Sequence, residues 1–545
     1  MPSPDKFANL ELSRFVGNDF AAVLFRFPCP QRILMVTDGS LNFGTGFFGL
    51  SEFVGIVRAA GHTVATAHRN GDPAASIGGA FKFDTAAPAL TVANYDQVWL
   101  FGFNAVPLTG PEQTKIAQFM KTGGGMFATG DHETLGQGMG ANIPRVRGMR
   151  NWSSIPMSSP TRHDTVLDAG LDNIKQFNDQ ANAVPQRTFP VFFSNGGPDT
   201  VATSWAVHPI LRHPSGAVDA MPDHPHESEC LEPVPFAGNF AGVEEWPAPL
   251  VGGARIAAQV VSVSVSAGRF IFSGAPTPSG TKPPVKPRCF GGISAYDGDA
   301  AQVGRVVCDA TWHHFVNINL NGSGAGADSL GNPFQGLYVA GVPTPEYLKI
   351  QAYYLNTVRW LAPRNRRNCW PFLQVALARF DHEMLEVVLP QPHPCPWDPL
   401  LQIGIVAEQV LTRHWGPGAA ADVVGELLAS TEVAPALTAL LHARQGTLGE
   451  SQDKRAQPTL LPVADVRRAL LGAVVNLIAT KLPADATAVA KLLKGGHDKL
   501  ASELPREAIA ATLPVIGDYL QQALKNTASI TKSMLAGKVT GKSDK

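Results

Sequence analysis

Charge is scarce in this 545-residue chain. Asp, Glu, Lys and Arg make up 16% of it, and 44 basic against 45 acidic residues leave a formal net charge of −1. A balance this close gives no electrostatic grip on nucleic acid or on an anionic membrane surface. Long apolar runs are missing too, since no window reaches the about 18 uninterrupted apolar residues that a spanning helix needs. The nearest stretch, "LLGAVVNLIATKL", Leu470 to Leu482, follows Asp465, Arg467 and Arg468 and reads as a buried core helix. Cysteine is sparse and scattered at positions 29, 230, 289, 308, 369 and 395, with no C-x-x-C pair. That spacing points to free thiols in a reducing compartment, not to a disulfide frame or a zinc knuckle. The opening "MPSPDKFANLELSRF" carries acidic residues where a signal peptide would be basic, so a cytoplasmic location is the expectation.

What is present alternates. From Arg32 an apolar run, "RILMVTDG", leads into "FFGLSEFVGIVRAAGH", which puts Leu50, Phe53, Val54 and Val57 on one helical face before Gly61. "TVATAH" and "QVWLFGF" read as the second and third strands. "LTGPEQTKIAQFMKTGGG" has Thr109 and Glu112 at capping-box spacing, Pro111 in its first turn and three closing glycines. Met126 to Thr129 would then be a fourth strand. Strand character returns in "RIAAQVVSVSVS", "RFIFSG" and "GRVVCDATWHHFVNINL", and "TPEYLKIQAYYLNTVRWLAP" makes a closing helix capped by Thr344. The pattern is α/β, a mainly parallel sheet flanked by helices, over residues 32–363 behind a 1–31 extension, with a long insertion at about 151–253. A Pro- and Trp-containing junction at 364–399 precedes an Ala/Leu-rich helical region at 400–537 and a tail at 538–545. No internal repeat occurs.

The candidate chemistry gathers where the fourth strand ends, in "KTGGGMFATGDHETLG". A strand running into a sharp turn is the geometry that lifts a nucleophile into a cleft, yet Asp131, His132 and Glu133 stand here in place of Cys or Ser. Carboxylate and imidazole can hold water or a metal; an Asp in this place also fits a helix cap. The late strand offers His313 and His314, of which alternation lets one face the cleft. The insertion offers His208 and then "MPDHPHESEC", where His224, His226 and Glu227 have the His-x-His and carboxylate pattern that suits a divalent metal, or else a plain surface loop. Arg145 and Arg147 can bind an anionic substrate or pair with local acids, Asp131 and Glu133 among them. Asp38 and Asn42, in the Gly-rich "TDGSLNFGTG", are polar groups for the cleft rim, since the segment lacks the order and the Lys of a phosphate loop.

Three stretches, "GGGMFATGDHE", "HPIL" and "GRVVCDATWHH" with the later "RWLAP", resemble the class I glutamine amidotransferase-like fold and within it the ThuA-like group, over about the first 360 residues. The resemblance implies a flavodoxin-like, amidotransferase-like sheet with a site at the elbow. The amidotransferase Cys is replaced by Asp131, which cannot reproduce thiolate attack on glutamine. Two readings stand. One is a hydrolase acting on a small polar or anionic substrate, its water activated by the cleft alone or with a divalent metal, with Asp131 or Glu133 as base and His313 or His314 as acid. The other is a catalytically silent scaffold whose C-terminal helices bind a protein partner or a second copy.

Overall fold

A computed structural model describes residues 29–104, 106–131, 134–152, 185–194, 205–222, 228–250, 253–266, 288–323, 335–367, 369–387, 395–431, 463–483 and 486–539. The chain divides into two compact units. One combines Leu24–Phe192 with Val207–Arg367; the other combines Asn368–Lys545 with Met1–Val23 and Phe193–Ala206.

The first unit is α/β. Strand β1 (Arg32–Thr37), helix α1 (Ser51–Ala59), β2 (Thr63–His68), β3 (Gln97–Phe101), helix α2 (Gly110–Lys121) and β4 (Gly125–Thr129) follow in order. An eight-stranded sheet adds β5 (Phe189–Pro190), β6 (Gln259–Ser266), β7 (Arg288–Tyr296) and β8 (Val306–Asp309) in the order β2-β1-β3-β4-β8-β7-β6-β5. The five strands from β2 to β8 run parallel, with Val98 opposite Met126 and Met126 opposite Val306. The last three join antiparallel. Strands β3, β4 and β8 are buried along their whole length, which fits a sheet covered on both faces. On one face Phe53 of α1 meets Trp99 at 5.5 Å, Phe315 at 5.1 Å and Tyr354 at 4.8 Å between ring centroids.

The glycine run before β4 is steric. Gly123 ends the segment after α2 with φ of 99°, a conformation that costs a side-chain-bearing residue. At Gly124 a Cβ would lie 2.3 Å from the Phe119 ring, and at Gly125 it would lie 2.1 Å from the Leu361 carbonyl. The same backbone therefore brings β4 tight against both its own helix and the turn after α6, the helix Pro345–Trp360. Both helices begin as their sequences require. The Thr109 hydroxyl accepts from the Glu112 N–H while the Glu112 carboxylate accepts from the Thr109 N–H, and the Thr344 hydroxyl accepts from the Tyr347 N–H.

Two expectations are corrected, and one region gains detail. "GRVVCDATWHHFVNINL" is not one strand: β8 stops at Asp309, a 3₁₀ turn spans Trp312–His314, and a short helix follows at Asn317–Asn321. Cys29 and Cys369 are disulfide-bonded, leaving Cys230, Cys289, Cys308 and Cys395 as the free thiols, so the argument for a reducing compartment loses its premise. The Pro- and Trp-containing junction is already helical, at Cys369–Ala378 and His382–Val387. "RFIFSG" lies outside the described residues.

The second unit is helical through Trp397–Trp415, Ala419–Thr431, Val463–Lys481 and Ala486–Val539. Its tightest crossing runs over glycine: a Cβ on Gly404 would fall 1.8 Å from the Arg468 carbonyl, and one on Gly472 would fall 2.0 Å from that of Leu400. Among the described residues no helix is long and apolar enough to cross a membrane.

Glu112 is 1% exposed and serves the Thr109 N–H, the Phe83 N–H and the Arg69 guanidinium together. Thr109→Ala should therefore cost about 1 kcal/mol, whereas Glu112→Ala should cost about 3 kcal/mol, because it leaves a cation and backbone donors unpaired. Urea unfolding of the intact chain gives both values.

Candidate functional site

Parallel pairing puts Thr129 of β4 opposite Asp309 of β8, so the turns leaving these two strands open side by side at their carboxyl ends. Ligand sites in open α/β sheets lie at such ends. Asp131 comes one residue past the buried Gly130, and its backbone N–H donates to the Leu135 carbonyl, closing the elbow. The following helix starts at Gln137 with Gly136 as its cap, so Asp131 is not a helix cap. Its carboxylate instead accepts from the Thr311 hydroxyl at 2.8 Å and lies 3.3 Å from Nε2 of His313. Thr311 is also held from behind: its N–H donates to Asp309, and its hydroxyl accepts from the His313 N–H.

His314 takes a separate path. Its Nδ1 is 2.8 Å from Asp309, whose other oxygen accepts from the Tyr353 hydroxyl at 2.8 Å. Burial, then Asp309, hold the Tyr353 phenol well above its ordinary range, so it stays a donor. Alternation along a strand does not decide which histidine points inward, because both sit on the 3₁₀ turn and each finds its own carboxylate. Asp131, Asp309, His313 and His314 are all at most 3% exposed. Above His313 the Trp312 ring stacks at 4.3 Å, with Phe48 edge-on to both.

Arg150 ties the two strand ends together. Its Nη2 donates to the carbonyls of Asp131 at 2.9 Å and Ala310 at 2.7 Å, and its Nη1 donates to that of Asn151 at 3.1 Å. The guanidinium lies 4.5 Å from the Trp152 ring centre. Burial pulls its pKa below the usual value, while the Cys230 and Cys308 thiols and the carboxylates of Asp131 and Asp309 pull it back. Ser228, which directly follows the His224–Glu227 run in sequence, donates its hydroxyl to the same Asp131 carbonyl at 3.3 Å.

The other expected site residues are placed elsewhere or lie outside the described residues. His132, Glu133, His224, His226 and Glu227 belong to the second group. Asp38 ends at the β1 terminus, where one carboxylate oxygen accepts from the N–H groups of Phe103 and Asn104; burial raises its pKa, with those hydrogen bonds opposing. Asn42 accepts from the Gly44 N–H and shapes its own loop. Arg147 binds Glu245 through two bonds of 2.9 Å, and Arg145 meets Glu245 as well, so the acid that these two arginines share is Glu245. His208 caps a 3₁₀ turn and packs on Trp360 at 4.8 Å, the ring that Arg305 also covers, beside the amino end of β8. It does not join Asp131. Among the described residues no group of three His, Cys, Asp or Glu side chains is arranged to hold a metal. Sequence reading passed over Thr311, Asp309 and Ser228. The first two precede "WHH" in "CDATWHH", where two short polar residues just before a histidine pair were the available signal.

No protein-family model, curated protein or solved structure matches this chain.

Two outcomes follow from this geometry. Arg150→Leu should destabilise the intact chain by about 3–5 kcal/mol in urea, because buried carbonyls and carboxylates lose their cation together. His208 has its pKa lowered from 6.5 to about 3 by burial, with Arg305 and Arg212 adding to it. The folded chain thus refuses a proton that the unfolded chain accepts below about pH 6.5. Its contribution is complete above that pH, declines as pH falls and is gone below about 3. Melting temperatures across this window should fall less steeply for His208→Asn, which keeps a capping acceptor but does not titrate.

Proposed function

We propose that this chain is a hydrolase on an amidotransferase-like, ThuA-like frame that has exchanged thiol attack for activated water, and that it acts on a small polar or anionic substrate. The observation that carries the reading is the meeting of Asp131 and His313 at the carboxyl ends of adjacent parallel strands. Asp131 orients the imidazole through Nε2 and stabilises its charged form; His313 works at Nδ1 as the base. Water gives a proton to His313 as its oxygen bonds to the electrophilic carbon or phosphorus of the substrate. The leaving group departs with the bonding pair and takes that proton from His313. His132 and Glu133 adjoin Asp131 in sequence, and His224, His226 and Glu227 adjoin Ser228, which is bonded to Asp131. These runs carry the donor types that a divalent cation would use to lower the pKa of the attacking water.

Burial favours a second reading. The Asp131 carboxylate is buried against Thr311 and His313, and aromatic rings cover His313, as in a silent scaffold whose polar pairs brace the turns. The helical unit would then supply the surface for a protein partner or a second copy.

Turnover of p-nitrophenyl acetate and p-nitrophenyl phosphate by the intact chain, with and without added Mn²⁺ or Zn²⁺, separates the two. The hydrolase reading expects Asp131→Asn and His313→Gln each to lower the rate about 100-fold or more at unchanged circular dichroism, and glutamine to release no ammonia. Background rates in the wild type, together with no divalent metal on elemental analysis, would leave the scaffold reading standing.

A further inference from the structure

Arg145 is a cation in the apolar core whose neighbouring carboxylate, Glu245, bonds its backbone N–H and the Arg147 guanidinium, not its own guanidinium. It is 1% exposed and lies among Val146, Met149, Trp246 and Tyr296, all buried. Its backbone takes φ of 67°, a conformation that an L side chain adopts at a cost, and the Arg145 N–H is held there by the Glu245 carboxylate at 3.0 Å. That carboxylate is otherwise taken by Arg147. Of the Arg145 guanidinium, Nη1 donates to the Glu245 carbonyl at 2.8 Å, while Nε and Nη2 have no hydrogen-bond partner. The guanidinium carbon lies 5.3 Å from the centre of the Tyr296 ring, and the Tyr296 hydroxyl, also buried, has no hydrogen-bond partner either. Burial pushes that phenol up to about 12, so it remains protonated at neutral pH.

The open positions are alike in kind. A guanidinium has N–H donors and no acceptor, and a buried phenol beside a cation presents its O–H. Ordered water could accept from two of these three donors, would leave the third open and would bring no charge. An anion satisfies all of them and neutralises the charge in a low-dielectric setting, where an uncompensated cation is costly. We infer that Arg145 and Tyr296 hold a small monovalent anion of chloride size inside the α/β unit, as a structural ligand separate from the Asp131–His313 pair. Arg145 thus recognises an anion, but not as a substrate-binding residue.

The test compares melting temperatures of the intact chain in sodium chloride, sodium bromide and sodium gluconate at equal ionic strength, gluconate being too large to enter. Chloride and bromide at about 200 mM should raise the midpoint by about 2–4 °C over gluconate, as expected for a ligand that binds only the folded state. The increment should vanish in Tyr296→Phe and Arg145→Met. Should Arg145→Met not fold, chloride-NMR line broadening by the wild type, lost in Tyr296→Phe, reads the same site. Equal midpoints in all three salts, with no line broadening, would mean that water fills the donors and would overturn the inference. So would a halide increment that survives Tyr296→Phe and Arg145→Met unchanged.

Discussion

One buried guanidinium decides how the centre of this molecule is put together. The turns leaving β4 and β8 expose carbonyls of Asp131 and Ala310 that no strand can reach, and two carboxylates, Asp131 and Asp309, lie close by. Such groups in a dry interior each cost free energy unless bonded. Arg150 answers both needs with one side chain, since its planar fork reaches two carbonyls while its charge faces the acids. With the Thr311 hydroxyl on Asp131 and the Trp312 N–H on the Gly130 carbonyl, it holds the elbow and the histidine turn together.

From that arrangement the rest of the polar centre can be ordered. Thr311 is the hinge between two pairs: its hydroxyl donates to Asp131, and its backbone N–H donates to Asp309. A single residue thereby keeps the Asp131–His313 and Asp309–His314 pairs in register without letting them merge. Tyr353 and Tyr354 of α6 support the same turn from behind, through Asp309 and the His314 carbonyl. The chemistry proposed for His313 depends on this bracing, because an imidazole that can swing is a poor base whatever its partner.

Much of the fold was legible because its signals are local. The Thr109 and Glu112 box, the Thr344 cap with Pro345, and Gly124 against Phe119 each fix a boundary through contacts within a few residues, whereas Gly125 answers to the distant Leu361 carbonyl. The polar centre was only half legible. That Asp131 and a histidine of "WHH" would converge follows from parallel topology, which a βα alternation announces. Which acid each arginine would choose does not, since Glu245 reaches Arg145 and Arg147 across about a hundred positions of sequence. His208 shows the same limit: a histidine that caps a turn under a Trp ring has the same one-letter surroundings as a ligand. The 3₁₀ turn was missed because "VVCDATWHH" has strand composition throughout, and the break comes from Asp309 turning back to hold the Thr311 N–H.

The order of strands in space carries a consequence for how the chain is made. Strands β1 to β4 are complete by Thr129, but the neighbour that covers the open edge of β4 is β8, which begins only at Val306. A ribosome adding about 5–20 residues per second would leave that edge unpaired for on the order of 10–30 s. During that interval the nascent chain presents the backbone of Met126, Phe127 and Ala128 as a template for any extended segment nearby. The long insertion is therefore also a delay in time, during which the half-built sheet waits for its own middle strand.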